Sequence, residues 1–495
     1  MPLGRGHRNS SVLMVIIVAY LCVGVAYALV TPLWETPDEP AHYNYVRYLI
    51  EHQSLPVLRH GDYDFAYLER IKAARFPPEM SIDPIRYESH QPPLYYLAGA
   101  VLAAPLPEGW RPTALRLLSV LLGAVLLWVA YLVVIEVFPD RPVIAWGAAG
   151  FVATVPMHVA MTAAINNDTI AEVILGLILL MLVRRVMNRP GSHSTTGDLV
   201  LGVLMGLGLL TKTTTYVALP LSLMVLLAPS CLGRVGNRGP RESSLSAGRA
   251  LGIALLMGLP WFVRNAVVYG GTDILGLARH NAIMTEQPRT AEWLAHLGWG
   301  GMLKQFGVTT FRSFWAQFGW MGILVDERIY LALAVVSALI GLGVLLFLLR
   351  DLKALSNQQK LALGVLALSF LLTLASYLWY NIQFVQHQGR YLFPALIPLS
   401  VCFALGMWKL VERPHAWYVA GLMLVAVVGL GIKGWSSGHL NKWLLAMLGG
   451  AAVALVLVAL LPPRWRKTLY VLPFLGLWGL DVLCLVAFIA PYFRT

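Results

Sequence analysis

Long apolar windows separated by short polar segments repeat along almost the whole chain of 495 residues. A transmembrane helix needs about 20 consecutive, mostly apolar residues. Windows of this kind predict about thirteen spans, which lie at 12–30, 114–137, 143–161, 167–186, 198–211, 213–229, 250–267, 329–349, 361–380, 391–410, 416–432, 443–461 and 468–490. A shorter apolar stretch bounded by prolines, 92–107, indicates a half-inserted or interfacial helix. The pattern predicts an all-α polytopic membrane protein.

Composition supports this class, because 58% of the residues are hydrophobic and only 13% are charged, against about a quarter charged in soluble proteins. The formal net charge of +12 is spread over short loops and forms no basic domain. Charges placed in that way set membrane topology more often than they bind nucleic acid. We therefore expect no nucleic-acid partner.

Basic residues cluster on one side of the predicted membrane. They are Arg5, Arg8, Arg141, Arg184, Arg185, Arg189, Arg234, Arg238, Arg241, Arg249, Arg350, Lys353, Lys360, Lys409, Arg413, Arg464, Arg466 and Lys467. By the positive-inside rule this side is the cytoplasm, so the N-terminus lies inside and the C-terminus outside. The first span is longer than a signal-peptide core of about 7–15 residues, and we expect a retained anchor.

Two long loops, about 31–113 and 268–328, then lie on the extracytoplasmic face. In the first loop Tyr45, Tyr48, Leu49 and His52 recur at helical spacing, which predicts a helix along the membrane surface. The second loop is rich in Trp and Phe, which is typical of amphipathic helices at a membrane interface.

The first loop opens with two adjacent carboxylates, Asp38 and Glu39, between prolines. Membrane proteins keep ionisable groups near the membrane where they use them. A helix beginning at Pro40 would hold both acids in ionised form at its positive end, ready to accept a proton or bind a cation. The alternative is a capping box of Thr36 and Glu39, although a proline after Glu39 disfavours a helix through that position. His42 follows closely.

Glu88 and His90 form a second candidate pair. Residues two apart point to the same side of an extended segment. Such a pair can ligate a metal or orient a base, and an ordinary polar loop is an equally open interpretation.

Further candidates stand at the outer ends of predicted spans. Asp168 precedes an apolar run and either caps a helix or belongs to a site. Lys212 and Arg264 either extend toward water or reach a phosphate. Arg390, in a segment with His387, has the guanidinium shape that binds phosphate oxygens bidentately.

These motifs, in their order along the chain, resemble those of the GT-C superfamily. The matching segments are Pro37-Asp38-Glu39, His90-Gln91-Pro92-Pro93-Leu94-Tyr95-Tyr96, Asn167-Asp168, Arg264-Asn265 and Gly389-Arg390-Tyr391-Leu392-Phe393-Pro394. The nearest resemblance is to bacterial and archaeal members related to protein O-mannosyltransferases and aminoarabinose transferases, especially a branch with a Pro-Asp-Glu-Pro-x-His motif. It extends to about residue 412, so we expect a transmembrane catalytic domain, 1–412, and C-terminal helices, 413–495.

The resemblance implies a membrane glycosyltransferase that moves a sugar from a polyprenyl-phosphate donor to an acceptor hydroxyl with inversion. Asp38 would be the general base, and Glu39 would assist it or contact the donor phosphate. Glu88 and His90 match the region where some members hold a divalent metal ion. The residues assigned to donor phosphate or substrate are Arg390, Lys212, Arg264, His42, Asp168 and His387.

The acceptor would be a protein, a lipid or a polysaccharide, and the location would be a prokaryotic plasma membrane with the site extracytoplasmic. A transporter or flippase of lipid-linked glycans is one alternative, and its expected sign is ionisable groups at mid-membrane. Here the polar residues gather on one face, which favours surface chemistry. A glycan polymerase or ligase is the other alternative.

Overall fold

A computed structural model describes residues 3–231, 239–284 and 286–494. The helices of the first half are α1 (Leu3–Val30), α2 (Glu39–His52), α3 (Phe65–Ala73), α4 (Leu94–Ala103), α5 (Arg111–Val137), α6 (Pro142–Ala153), α7 (Pro156–Thr162), α8 (Asp168–Val186), α9 (Thr195–Leu209), α10 (Ala218–Cys231) and α11 (Pro240–Tyr269). Of the predicted topology signals, Arg234 and Arg238 lie outside the described residues, as do the side chains of Arg5, Arg8 and Lys467.

The helices of the second half are α12 (Leu277–Ile283), α13 (Thr290–Trp315), α14 (Glu327–Arg350), α15 (Asn357–Gln383), α16 (Leu396–Leu410), α17 (Arg413–Ser437), α18 (Lys442–Leu460), α19 (Pro463–Leu469), α20 (Leu472–Leu483) and α21 (Ala490–Arg494). Short 3-10 helices occupy Tyr87–His90, Glu108–Trp110, Thr213–Val217, Leu352–Ala354 and Gly389–Ala395, and a π-helical segment occupies Cys484–Ile489. Strands β1 (Gln317–Phe318) and β2 (Ile323–Leu324) form an antiparallel hairpin.

The all-α polytopic class is confirmed. Within the described ranges nine helices are long and apolar enough to cross a membrane, and a tenth span results if α6 and α7, bent by 67° at their break, are counted together. The predicted number of about thirteen is not confirmed. The three remaining windows correspond to α8, which carries charged residues at both ends, and to the shorter apolar helices around α9 and α10.

The centre of the bundle is built around α5 and α16. Helix α5 packs against α1, α6 and α8, and α16 packs against α6 and α14. A Cβ atom at Gly343 of α14 would lie 2.2 Å from the carbonyl oxygen of Gly406 in α16, so glycine permits this close approach, as small residues do between membrane helices.

The first loop lies deeper than the surface helix predicted from its sequence. Tyr45 and Leu49 of α2 are buried, because α2 packs against α4 and the Tyr87–His90 turn. His52, at the end of the same face, is exposed. The first loop is therefore a packed layer over one end of the bundle.

The second loop completes this layer. Helix α13 contains a non-helical break at Gly298, with φ 64°, and Trp299 beside it is 71% exposed. Before α13, Arg289 forms an antiparallel bridge with Phe384, which follows α15. This bridge joins the second loop to the segment that carries Arg390.

The C-terminal helices pack back on the earlier ones. The Tyr470 hydroxyl donates to the Ala404 carbonyl oxygen at 3.2 Å, and the Tyr27 hydroxyl donates to the Asp481 carbonyl oxygen at 2.9 Å. The division into two parts at residue 412 stays a prediction.

Candidate active site

The side chains of Asp38 and Glu39 point in different directions because of the backbone conformation at Asp38. Asp38 is the residue before α2 and has φ 68° and ψ −7°, in the left-handed region. Aspartate is one of the few residues other than glycine that adopt this conformation. It turns the chain sharply before Pro40, so the two neighbouring carboxylates point into different surroundings. Asp38 makes no capping hydrogen bond, so the predicted alternative of a simple helix cap does not describe it.

The Asp38 carboxylate is held between two donors from distant segments. The Tyr87 hydroxyl donates to Oδ1 at 2.8 Å, and Nη2 of Arg390 donates to Oδ2 at 2.6 Å. Burial alone raises the pKa of Asp38, but the charges of Arg390 and His42 and the hydrogen bond from Tyr87 outweigh it and lower the pKa to about 2. Asp38 is therefore ionised at neutral pH.

Arg390 is positioned by its own segment. Its Nε donates to Oε1 of Gln388 at 2.7 Å. The preceding Gly389 donates its backbone N–H to Oγ of Ser313 at 2.7 Å, and a Cβ at Gly389 would lie 2.3 Å from the Thr310 carbonyl oxygen. Glycine therefore allows this segment to press against α13 and bring Arg390 to Asp38.

A cavity of about 360 Å³ opens beside this pair. Residues from α3, the Tyr87–His90 turn, α12, the β1–β2 hairpin and the segment after α15 line it. They are Pro37, Asp38, Tyr63, Phe65, Leu68, Glu69, Lys72, Tyr87, Glu88, His280, Met284, Gln287, Pro288, Trp320, Met321, Tyr380, Val385, Gln386, Gln388, Arg390 and Tyr391. Residues of both long loops and of the end of α15 thus line one cavity.

Lys212 and Asp168 form an ion pair next to this group. Lys212 Nζ lies 2.6 Å from Oδ1 of Asp168. Lys212 has an extended backbone between α9 and the Thr213–Val217 turn. This break between two helices directs its ammonium group toward Asp168.

His42 lies among these charges. Its Nδ1 is 2.8 Å from the Tyr96 hydroxyl. Burial lowers the pKa of His42, while the carboxylates of Glu88, Asp38 and Asp168 oppose the shift.

Glu88 and His90 lie close together in sequence, but they do not form a complete metal site. The described part of the chain holds no group of three or more His, Cys, Asp and Glu side chains spaced for a metal ion. His90 places Nδ1 3.0 Å from the Tyr87 carbonyl oxygen, and its ring lies against His280 with centroids 4.5 Å apart. Burial lowers the pKa of His90 to about 4. The residues present do not fit the predicted metal, and we derive no step through one.

Glu88, which also lines the cavity, has spare hydrogen-bonding capacity. Its Oε2 is buried without a partner among the described residues. Burial raises the pKa of Glu88, and the charge of Asp38 adds to the shift while His42 opposes it.

Glu39 lies apart from the cavity, in a buried arrangement that we call the clamp. Arg116 of α5 donates to both carboxylate oxygens of Glu39, at 2.7 and 2.6 Å. It also donates to the carbonyl oxygens of Ala28, Thr31 and Pro32. Glu39 is 0% exposed and Arg116 1%. The contacts give Glu39 a positioning role at the end of α1 and do not support the predicted assistance to Asp38.

Arg264 and His387, two other predicted site residues, do not line the cavity. Arg264 donates to the Pro56 carbonyl oxygen and to Oδ1 of Asn265, so it holds the first loop to α11. His387 lies against the Phe306 ring with centroids 5.2 Å apart. In the extended segment Gln386 and Gln388 line the cavity, and His387 between them faces α13.

The sequence interpretation missed two site residues. Tyr87 stands next to Glu88 in the chain, but nothing local shows that its hydroxyl reaches Asp38. Arg116 did carry a signal, because a charged residue within an apolar window normally has a buried partner.

Comparisons with known proteins agree on the architecture. The family model described as dolichyl-phosphate-mannose-protein mannosyltransferase matches residues 90–261. A search of curated protein sequences gives no match. Among solved structures, ArnT from Cupriavidus metallidurans bound to undecaprenyl phosphate aligns with a TM-score of 0.52 and 16% identity, covering 95% of this chain and 76% of that one.

Two structures from Archaeoglobus fulgidus align similarly. The oligosaccharyltransferase tethered to an acceptor peptide with the NVT sequon gives a TM-score of 0.51 and 16% identity over 94% of this chain. The oligosaccharyltransferase AglB with an inhibitory peptide and a dolichol-phosphate gives 0.51 and 15% over 96%. This chain spans 55% and 56% of their lengths. At these identities the structural likeness establishes the fold, and all of these names describe transferases.

Proposed function

We propose that this protein, a membrane glycosyltransferase of the GT-C superfamily, transfers a sugar from a polyprenyl-phosphate donor to an acceptor hydroxyl, with Asp38 as general base. One observation carries the proposal: the Asp38 carboxylate is held between the Tyr87 hydroxyl and the Arg390 guanidinium at the wall of a 360 Å³ cavity. A base and a phosphate-binding cation are thus in direct contact. The acceptor class, whether protein, lipid or polysaccharide, is open in this proposal.

The pairing of Asp38 with Arg390 couples the base to the donor. A carboxylate whose pKa is about 2 is a weak base, and general bases work best with a pKa near the operating pH. Arg390 uses Nε for Gln388 and Nη2 for Asp38, which leaves Nη1 for a phosphate oxygen. A bound donor phosphate then shares the charge of Arg390, the pKa of Asp38 rises, and the base strengthens when the substrate is present.

The reaction is a single displacement. The acceptor oxygen bonds to the anomeric carbon as its proton passes to Asp38, and the bond from that carbon to the phosphate oxygen breaks. Polyprenyl phosphate leaves with the bonding electrons, and the anomeric configuration inverts. Arg390 stabilises the charge that develops on the departing phosphate, and such preorganised donors are a major source of catalysis. Lys212, 2.6 Å from Asp168, has two further N–H donors for the same group.

The site is proposed to face the extracytoplasmic side of a prokaryotic plasma membrane. The positive-inside distribution of Arg and Lys supports this orientation. A Gln53→Cys variant, at an exposed position after α2, should react with a membrane-impermeant maleimide in intact cells. Gln358→Cys, exposed in the first turn of α15 at the other end of the bundle, should react only after permeabilisation. The reverse pattern would overturn the orientation.

The testing experiment follows polyprenyl-phosphate release from a panel of polyprenyl-phosphate sugars by protein purified in detergent, with candidate acceptors. Wild type should release polyprenyl phosphate, and Asp38→Asn should be slower by about 10²–10⁴-fold, the usual contribution of a general base. Asp140→Asn, an exposed aspartate between α5 and α6, is the matched control and should keep the wild-type rate.

Two results would count against the proposal. Undiminished turnover in Asp38→Asn would remove the base assignment, and absence of release from every donor, including a lipid-linked oligosaccharide, would remove the activity. A parallel series with EDTA reports whether a divalent metal takes part. Activity lost in EDTA and restored by Mg²⁺ or Mn²⁺ would show that the phosphate supplies ligands that the protein lacks.

A further inference from the structure

We infer that three carboxamides, Gln287, Gln386 and Gln388, hold the hydroxyl groups of the donor sugar, and that this sugar carries no carboxylate. We call these residues the carboxamide patch. The inference rests on the proposed function, since it concerns the sugar whose phosphate Arg390 binds.

Backbone pairing brings the patch together from two distant segments. Arg289 bridges Phe384 in antiparallel pairing, and the Val385 N–H donates to the Pro288 carbonyl oxygen at 3.0 Å. In the same register Gln287 stands opposite Gln386, and side chains opposite each other across antiparallel strands lie close together. All three glutamines line the cavity.

The patch has both kinds of hydrogen-bonding capacity to spare. Both polar atoms of the Gln388 carboxamide are hydrogen-bonded, because Oε1 accepts from Arg390 and Nε2 donates to Oε1 of Gln386 at 2.6 Å. Nε2 of Gln386 keeps its two N–H donors. Oε1 of Gln287 is buried and has no partner within the described ranges. A donor beside an unsatisfied acceptor suits a hydroxyl group, which accepts one hydrogen bond and donates another.

The charges that line the cavity leave no unpaired cation for the sugar among the described residues. Asp38 is paired with Arg390, and Lys72 lies 2.5 Å from Glu69. Burial and the nearby His90 lower the pKa of His280 to about 3, so that imidazole is neutral. Glu88, the remaining acid of the lining, has a buried Oε2 without a partner among the described residues. A uronic acid would therefore meet another carboxyl group and no unpaired cation, and burying an uncompensated charge is unfavourable.

The patch also has a direction that matches the donor. The hydrogen bonds run from Asp38 through Arg390 and Gln388 to Gln386. A phosphate at Arg390 thus places the attached sugar next to the carboxamides, with its anomeric carbon toward Asp38. The cavity assigns one end to the phosphate and the other to neutral hydroxyl groups.

The experiment compares three polyprenyl-phosphate donors: a neutral hexose, an amino sugar and a uronic acid. For wild type, kcat/KM should favour the hexose over the uronic acid by about 100-fold or more, since a site built for hydroxyl groups discriminates strongly. Gln287→Glu places a carboxylate opposite Gln386 and should raise the ratio of amino-sugar to hexose turnover by about ten-fold or more. Gln53→Glu adds the same charge at an exposed position and should leave the ratio unchanged.

Binding gives a second measurement that does not depend on turnover. The thermal midpoint of unfolding of the purified protein is compared with each donor and with polyprenyl phosphate alone. The neutral donor should stabilise wild type more than polyprenyl phosphate does, and Gln287→Ala should remove that difference while keeping the response to polyprenyl phosphate. Loss of the response to polyprenyl phosphate as well would mark a folding defect, and Gln386→Asn then replaces Gln287→Ala.

Failure of the inference and failure of the proposed function can be told apart. Turnover of the uronic-acid donor at least as fast as that of the hexose, or an unchanged ratio in Gln287→Glu, overturns the inference and leaves the transferase intact. Release from no donor overturns the proposed function, and the binding series still decides the sugar preference. Equal stabilisation by all three sugars would then overturn the inference too.

Discussion

Asp38 and Glu39 are neighbours in sequence, but they belong to two different regions of the molecule. Asp38 stands at the cavity wall, with Tyr87 and Arg390 as partners from distant segments. Glu39 stands in the clamp, where Arg116 also binds three backbone carbonyls at the end of α1. The cavity wall has free hydrogen-bonding capacity and open volume, whereas the clamp is closed. The clamp fixes the backbone so that the left-handed turn at Asp38 presents its carboxylate to the cavity.

The largest expected difference between the two regions is in turnover. In Asp38→Asn the amide oxygen can still accept one hydrogen bond, but the base is lost, and the rate should fall by about 10²–10⁴-fold. Because the variant also releases the charge of Arg390 from its carboxylate, polyprenyl phosphate should bind at least as tightly as to wild type. Equilibrium binding of radiolabelled polyprenyl phosphate checks this. Weaker binding together with the slow rate would show that Asp38 acts in donor binding instead.

A change in the clamp should reduce the stability of the fold, whereas the change at Asp38 reduces turnover. Glu39→Gln leaves the buried Arg116 guanidinium without a countercharge, and breaking a buried pair from one side costs about 3–5 kcal/mol. Thermal unfolding in detergent measures the change. The matched control is Glu327→Gln, which breaks an exposed pair with Arg312 and should cost at most about 1 kcal/mol. A stable Glu39→Gln protein with abolished turnover would return Glu39 to the chemistry.

The same comparison shows how far the sequence alone could go. Hydropathy predicts the fold class, because apolar windows of about 20 residues are typical of transmembrane helices. The number of spans is harder to predict, because α8 has charged residues at both ends and the chain breaks at Lys212. Asp38 and Arg390 are predicted as site residues, and they make contact. Adjacent carboxylates suggested a shared role, and only the positive φ at Asp38 separates them. His387 lies outside the cavity lining for a similar reason, since an extended segment turns every second side chain away.

A smaller effect is expected at the hydroxyl that supports Asp38. Tyr87→Phe removes one of the two donors that hold the Asp38 carboxylate in position, and turnover should fall by roughly 10- to 100-fold, because the loss of positioning outweighs the stronger base. Because that hydrogen bond lowers the pKa of Asp38, the variant should have a higher Asp38 pKa. Activity, which needs the carboxylate, should then be lost at a higher pH as the medium is acidified. Tyr67→Phe, whose hydroxyl donates to Ser81 on the surface, should leave the pH–rate profile unchanged.

The smallest effect concerns Glu35, which precedes the clamp. Burial raises the pKa of Glu35 to about 7, with Arg75 opposing the shift and Glu39 adding to it. A carboxyl group whose folded pKa exceeds its unfolded value of about 4.5 stabilises the fold below that value, and the contribution is lost as pH rises through 7. The thermal midpoint should therefore decline between about pH 5 and pH 8, and Glu35→Gln, uncharged throughout, should flatten this slope. Glu79→Gln, at an exposed position, should keep the wild-type slope. An identical slope in wild type and Glu35→Gln would place the pH sensitivity at the cavity wall, where Asp38 and Glu88 are the acids to vary next.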